Sequence, residues 1–179
     1  MNITIRKMHY DDTKKVQSIA KTTWNATYEG IIPLDVQNNF LKLNYSDESM
    51  IQRIERSIVY VAEVEGEIVG FVNYSTVRVG GKVELAAIYL YPEFQGKGIG
   101  SALLQQAVKE LIGIKEIYIK VEKENKIGMN FYEAKGFEIV KESDVEFDGH
   151  ILKQVRMVKK FIYKLTVSLH LIMEGLFLM

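Results

Sequence analysis

The chain has 179 residues, of which 47% are hydrophobic and 26% are charged, as in an ordinary globular domain rather than a disordered tail. Its formal net charge is zero, so no overall charge favours nucleic acid or an anionic membrane surface as a partner. It has no cysteine, which excludes a thiolate nucleophile, disulfides and cysteine metal sites, and the early charges of MNITIRKMHYDD do not fit a signal peptide.

The N-terminal third predicts one strand followed by helices. Apolar and polar residues alternate over 2–7, which indicates a short strand. The aspartates at 11–12 can cap a following helix, whose apolar face includes Val16, Ile19, Ala20, Thr23 and Trp24. The sequence EGIIP at 29–33 ends that helix, and Ser46 can cap a later helical piece over 47–56.

The remainder predicts a hairpin, a central strand and an α/β unit. Strands 58–64 and 68–77 are separated by a tight turn, and the next strand, 83–91, is apolar on both faces, which is typical of a central strand. A glycine turn leads into a helical pattern, and the later elements are a strand at 114–121, a helix at 126–135, a strand from 137 and a strand at 151–158. The order is that of one mixed α/β (α+β) domain.

The glycine turn QGKGIG, residues 95–100, is a candidate anion site. Glycine lets the backbone approach a ligand closely, and a helix beginning near Gly98 adds unpaired N–H groups and the positive end of its dipole. Strand-to-helix turns also use glycine for packing alone, so the glycines by themselves leave both interpretations open.

Spacing excludes two common phosphate motifs. A P-loop requires Ser or Thr after the lysine, but Gly98 follows Lys97, and Tyr91 stands where the first glycine belongs. The dinucleotide fingerprint G-x-G-x-x-G requires a third glycine where this chain has Ser101. Neither an ATPase nor an NAD enzyme is favoured.

Two motifs together resemble the GCN5-related N-acetyltransferase (GNAT) superfamily. Gln95-x-x-Gly98-x-Gly100 resembles its acetyl-CoA motif Q/R-x-x-G-x-G/A, and residues 125–137 resemble its N-x-x-A-x-x-F-Y-x-x-x-G-F stretch, with Gly128 in place of the usual alanine. The resemblance implies the GNAT fold over residues 1–160, with a central mixed, mostly antiparallel sheet of about seven strands flanked by helices.

The resemblance also implies a binding site for acetyl-CoA as co-substrate. The backbone N–H groups that would hold the pyrophosphate are those of Gln95, Gly96, Lys97, Gly98, Ile99 and Gly100. Strand residues Ile88, Tyr89 and Leu90 would pair with the pantetheine arm as if it were another strand, and Asn125 would hydrogen-bond the same arm. Asn125 could equally cap the helix that begins at residue 126, and the two roles are compatible.

Catalytic roles follow from the same resemblance. The Leu90 N–H would contact the thioester carbonyl, since GNAT sheets part just after this strand, and Tyr132 would protonate the leaving thiolate. Tyr132 could instead pack its ring on the core. Glu84 would act as general base through water, or is an exposed charge beside the turn at 78–82.

The amine acceptor is expected to be a small molecule or a peptide. Trp24, Tyr28 and Glu29 resemble the acceptor-side loop of one GNAT subgroup, although Trp24 and Tyr28 could simply be the buried stripe of their helix. Asn73, on a neighbouring strand, is a further candidate. Direct attack by the amine in a ternary complex is the expected mechanism. The alternative is a non-catalytic acyl-CoA sensor or interaction module of the same fold.

Further expectations concern metals, partners and the C-terminus. The histidines lie far apart in sequence, so no metal is expected, and we expect a cytoplasmic protein without nucleic-acid or membrane partners. Residues 161–179 form an apolar extension interrupted by Lys164, His170 and Glu174. This extension could pack on the domain or in a homodimer, could be a segment added by cloning or an altered reading frame, or could anchor the chain in a membrane.

Overall fold

The computed structural model describes residues 2–161. These residues form seven strands and five α-helices, which are joined by turns and loops. The strands are β1 (Ile3–Lys7), β2 (Ser57–Val64), β3 (Glu67–Ser75), β4 (Lys82–Leu90), β5 (Glu116–Glu122), β6 (Glu138–Phe147) and β7 (His150–Lys160). The helices are α1 (Thr13–Tyr28), α2 (Leu34–Asn44), α3 (Asp47–Arg56), α4 (Ile99–Glu110) and α5 (Lys126–Ala134). The expected extension at 161–179 lies, apart from Phe161, outside the described residues.

All seven strands belong to one sheet in the order β1-β2-β3-β4-β5-β7-β6. Every neighbouring pair is antiparallel except β4 and β5, which run parallel with α4 in the connection between them. The predicted mixed α/β class with a mostly antiparallel sheet is therefore confirmed.

The helix boundaries follow local chemistry. Ser46 caps α3, because its Oγ accepts the backbone N–H of Ser49 at 3.2 Å. Asp12 does not cap α1 in the predicted way. A short 3₁₀ turn precedes α1, and the Asp12 carboxylate accepts the His9 N–H at 2.7 Å and two hydrogen bonds from Arg6. The carboxylate thus ties β1 to the start of α1.

Two apolar clusters cover the two faces of the sheet. The first, on the side of α4 and α5, includes Leu103 and Ile117, and the second, on the side of α1, α2 and α3, includes Ile19 and Phe71. We call these sides the α4 face and the α1 face. Strand β4 contributes to both clusters, which confirms its expected central position.

A β-bulge explains how β4 changes the face to which its side chains point. Leu85 pairs with Tyr74 and Ala87 pairs with Asn73, so Ala86 is an extra residue in β4. Before the bulge, Leu85 packs in the α4-face cluster, whereas Ala87 beyond it packs in the α1-face cluster.

Candidate active site

Strands β4 and β5 separate in the middle of the sheet. Leu85 and Ile119 form their last pair, although β4 remains paired with β3 up to Leu90 and β5 remains paired with β7 up to Glu122. The expectation that the sheet parts just after β4 is therefore wrong. The parting begins next to the bulge, which turns the second half of β4 into an edge with free backbone groups.

The backbone donors of that edge have a fixed direction. Tyr91 donates its N–H to the Val69 carbonyl at 3.0 Å, toward β3. Because successive residues of a strand direct their N–H groups to opposite sides, the N–H groups of Ile88 and Leu90 point away from β3 and into the opening. A ligand lying along β4 can therefore pair with it as an additional strand would.

The carbonyl of Leu90 connects this edge to its surroundings. It accepts hydrogen bonds from Thr23 Oγ1 of α1 at 2.9 Å and from Gln95 Nε2 at 3.3 Å. The side chain of Gln95 therefore braces the turn against the end of β4.

The glycine turn forms an open cradle at the outer end of the opening. Gly96 and Gly98 have φ angles of 71° and 83°, and a Cβ built at either position meets no described atom within 4 Å. Helix α4 begins at Ile99, which is fully buried and anchors the turn in the core. Positive φ angles together with a helix N-terminus provide the backbone donors that an anionic group requires.

Helix α5 forms the second wall. Asn125 caps it, with Oδ1 accepting the Gly128 N–H at 2.8 Å. A Cβ at Gly128 would lie 2.7 Å from Asn125 Nδ2, so alanine at this position would require the Asn125 side chain to shift. Gly100 approaches this wall closely, since its Cβ would lie 3.3 Å from Phe131.

Tyr132 lies on the same wall, between two aromatic rings. Its ring contacts Phe131 and Phe137 edge-on, with centroids 5.4 and 5.5 Å apart, and its side chain lines the opening. Burial raises the pKa of Tyr132 well above its usual value, and the nearby Tyr89 adds to this. The phenol is thus held as a neutral O–H donor.

Aromatic residues border the opening on its α1 side. Trp24 is 7% exposed, stacks on Phe40 at a centroid distance of 3.9 Å and donates Nε1–H to Tyr89 Oη at 2.8 Å. Tyr28 packs beside Trp24 at 4.6 Å, and burial raises its pKa above the usual value. Trp24 thus fixes α1 on β4, and both Trp24 and Tyr28 line the cavity.

The space between these walls is a cavity of about 410 Å³. Its lining includes Ile88 and Phe131 from the α4 face together with Tyr28 from the α1 face. The cavity therefore passes through the sheet at the parted strands, and two molecules can approach the same point from opposite faces.

Comparison with known proteins identifies the family. The sequence model of the Acetyltransferase (GNAT) family matches residues 20–137, which include the glycine turn, both walls and the parted strands. The chain belongs to the GNAT acetyltransferase family.

Relatives agree with this assignment. A spermidine N(1)-acetyltransferase of Thermoplasma acidophilum is 31% identical over 147 residues, covering 78% of this chain and 90% of the relative. An uncharacterized N-acetyltransferase of Bacillus subtilis, YuaI, is 31% identical over 160 residues, covering 86% and 90%. The crystal structure of a PaiA N-acetyltransferase from Thermoplasma acidophilum in complex with coenzyme A superposes with a TM-score of 0.78, at 28% identity, over 90% of this chain and all of that one.

Not every site residue expected from the sequence lines the cavity. Asn73 is 4% exposed, accepts a hydrogen bond from Arg53 Nη1 at 3.0 Å and donates one to Ser57 Oγ at 2.6 Å. Glu29 lies at the exposed end of α1 and lines a separate hollow of about 720 Å³ together with His150. The structure brings neither residue to the parted strands.

Glu84 lies one residue before the last β4–β5 pair, on the α1 face. Its carboxylate is 3.8 Å from Arg156 Nη2, and its backbone N–H donates to Ser75 Oγ at 2.9 Å. It is not among the residues that line the cavity. The Arg156 guanidinium competes with any ammonium group for this carboxylate.

Sequence reasoning missed several cavity residues, among them Thr23, Thr27, Lys120 and Lys135. Thr27 lies four residues after Thr23 and three after Trp24 on α1, and the threonines could have been found from that spacing. Lys120 alternates with buried isoleucines in IYIKV, but its place in the GNAT cleft depends on where β4 and β5 part, and no local pattern reveals that.

Two structural findings concern metals and membranes. Between residues 2 and 161, no group of three His, Asp or Glu side chains is arranged to hold a metal ion. None of the five helices α1–α5 combines the length and the hydropathy needed to cross a membrane.

Proposed function

We propose that this GNAT protein transfers the acetyl group of acetyl-CoA to a primary amine of a small molecule by direct attack in a ternary complex. The observation that carries this proposal is the cavity between β4 and β5, which is open to both faces of the sheet. One substrate can lie along β4 from the glycine turn, while the amine reaches the thioester from the α1 face.

Acetyl-CoA fits the chemistry of the α4-face wall. The backbone N–H groups of residues 95–100 would hold the pyrophosphate, and the open space at Gly96 and Gly98 leaves room for its oxygens. The pantetheine arm would pair with the free N–H groups of Ile88 and Leu90. The Asn125 amide caps α5 through Oδ1, and its Nδ2 would donate to the same arm.

Two N–H groups are available to stabilise negative charge on the thioester carbonyl. Leu90 is the expected donor. Because the strands part already after Leu85, the Ile88 N–H also faces the cavity, nearer to the point where β4 and β5 part, and it shares this role. Attack by the amine forms the C–N bond and breaks the C–S bond. Tyr132 gives its proton to the departing sulfur, and its raised pKa keeps the hydroxyl protonated until that step.

Glu84 is the proposed general base, acting through water because it lies outside the cavity lining. Glu84→Gln should lower kcat by about a hundredfold or more, in the range typical of general base catalysis. The matched control is Glu116→Gln, which removes a β5 carboxylate that hydrogen-bonds Tyr118. If both variants lose only a few-fold, another group accepts the proton.

The acceptor is a small amine. Tyr28 lies beside the path of the amine to the thioester, and Trp24 fixes α1 to β4. The similarity to a spermidine N(1)-acetyltransferase makes linear polyamines the first acceptors to test. Turnover of acetyl-CoA should be measured with spermidine, shorter diamines, amino acids and N-terminal peptides. Saturable turnover on one of these amines is the expected result.

Calorimetry with coenzyme A separates binding from catalysis. The proposal predicts binding of coenzyme A, and the absence of heat at millimolar ligand would overturn it. Binding without turnover on every amine tested would instead favour a non-catalytic acyl-CoA sensor, the alternative function that the same fold supports.

A further inference from the structure

We propose a second acetyl acceptor within the chain itself: Lys120, which acetyl-CoA bound in the cavity would acetylate. This inference rests on the proposed use of acetyl-CoA, but not on the identity of the external amine. It assigns a modification site to a residue that has no role in the proposed transfer.

Lys120 lies at the end of the cavity where β4 and β5 part. It is the first residue of β5 after the last β4–β5 pair, Leu85 with Ile119, and it lines the cavity. Across the gap, the bulge residue Ala86 is exposed and lines the same space. The small side chain of Ala86 leaves the gap open to the lysine.

The side chain of Lys120 points to the face from which an amine must come. Its neighbours Ile119 and Val121 are buried in the α4-face cluster, so alternation directs Lys120 to the α1 face, where it is exposed. A flexible four-carbon stem then carries the amine. Lys120 is thus on the acceptor side of the parted strands.

No acidic partner in the described part of the chain holds the Lys120 ammonium away from the cavity. It forms no ion pair and no side-chain hydrogen bond among residues 2–161. Opposite it on β7 stands another cation, Arg156, which takes the nearby Glu84 carboxylate. Glu122, two residues further on the same face, accepts the backbone N–H groups of Glu124 and Lys153.

The chemical step is the same as with an external amine. The neutral Nζ of Lys120 attacks the acetyl carbonyl carbon, an N–C bond forms and the C–S bond breaks. The amine loses one proton, the sulfur gains one, and coenzyme A leaves as its thiol. Attack within one molecule has a high effective concentration, which compensates for imperfect alignment.

Site-resolved mass spectrometry tests the proposal. The protein is incubated with acetyl-CoA without any amine, and acetylation is followed at Lys120 and at two exposed lysines outside the cavity, Lys21 and Lys42. Lys120 should react at least about tenfold faster than both, at a rate per molecule that protein dilution does not change. Excess coenzyme A should slow only Lys120, and Lys120→Arg should abolish the fast phase.

Lys135 is an internal control, because it lines the cavity at the α5 end, with Nζ 5.8 Å from the Phe131 ring centroid. Acetylation of Lys135 as fast as that of Lys120 would mean nonselective labelling and would overturn the assignment. So would a Lys120 rate equal to those of Lys21 and Lys42 in protein that binds coenzyme A by calorimetry. If coenzyme A does not bind, the proposed function fails first, and the two failures are distinguishable.

Discussion

Trp24 and Tyr89 are joined by a hydrogen bond from the indole Nε1–H to the tyrosine Oη at 2.8 Å. The bond connects α1 to the half of β4 that has no partner on its β5 side. Tyr89 stands between Ile88 and Leu90, whose N–H groups face the cavity. The position of the Ile88 and Leu90 N–H groups therefore depends on a contact made on the α1 face of the sheet.

Removing the acceptor of this bond should destabilise the fold. Tyr89→Phe leaves the buried indole N–H unpaired, which should cost about 1–3 kcal/mol in the free energy of unfolding. Tyr91→Phe is the matched control, because its hydroxyl contacts Ser18 in an exposed pair, and its removal should change the free energy by less than about 0.5 kcal/mol. Urea unfolding measures both, and equal losses would show that the indole finds another acceptor.

The glycine turn offers a comparison at constant backbone strain. Gly98 and Gly66 have φ angles of 83° and 85°, and at both an added Cβ meets no described atom within 4 Å. Alanine at either position should therefore cost a similar amount of stability, about 1–2 kcal/mol. Only Gly98→Ala places a methyl group beside the proposed pyrophosphate site, so it alone should weaken coenzyme A binding, by about tenfold.

Calorimetry with coenzyme A on both variants reads out this difference. Gly66→Ala, in the β2–β3 turn, measures the effect of backbone strain at a position away from the proposed coenzyme A site. Equal losses of affinity in the two variants would mean that general destabilisation, and not the cradle, is responsible.

Sequence reasoning found those parts of the site that depend on neighbours in the chain. The turn at Gly96 and Gly98 and the cap at Asn125 are local, because positive φ angles and helix caps are set within a few residues. Both could be predicted from residue types and spacing.

The remaining features depend on residues far apart in the sequence. The parting after Leu85 depends on how far β4 and β5 remain paired, and the apolar pattern of either strand alone does not show this. Glu84 faces Arg156, and Asn73 hydrogen-bonds Arg53, because separate elements meet there. From the sequence alone, a polar residue on a strand of this sheet looks like a site residue. Only the structure shows that the Asn73 side chain is buried and hydrogen-bonded to Arg53 and Ser57.

Asp12 should make stability depend on pH. The Arg6 guanidinium holds the pKa of the Asp12 carboxyl below its ordinary value, although burial opposes the shift. A lowered folded-state pKa contributes stability that is present above the ordinary value of about 3.9 and is lost as pH falls through the folded value. Asp12→Asn should therefore cost about 1.5–3 kcal/mol at neutral pH and less at about pH 2.

Asp47→Asn is the control for this prediction. Asp47 also has a lowered pKa, through Lys14 and Gln17, but its ion pair is exposed and screened by solvent. Urea midpoints at neutral and acid pH should move clearly for Asp12→Asn and little for Asp47→Asn. A loss at Asp12 that is the same at both pH values would point to packing rather than charge.

Tyr132→Phe should separate catalysis from binding. The substitution keeps the ring contacts with Phe131 and Phe137 and removes only the proton donor, so kcat should fall by about a hundredfold while coenzyme A affinity changes little. Tyr60→Phe is the control, because it removes a buried phenol whose hydroxyl contacts Glu110 away from the cavity.

The pH profile gives an independent check on Tyr132. Because burial raises its pKa well above the usual value of about 10, the phenol should remain protonated throughout the range in which activity can be measured. Any decline of the wild-type rate below about pH 10 should therefore also be present in Tyr132→Phe. Such a decline would mean that Tyr132 ionises near its ordinary pKa, and a collapse of coenzyme A affinity in the variant would mean that the hydroxyl binds the substrate instead of protonating the thiolate.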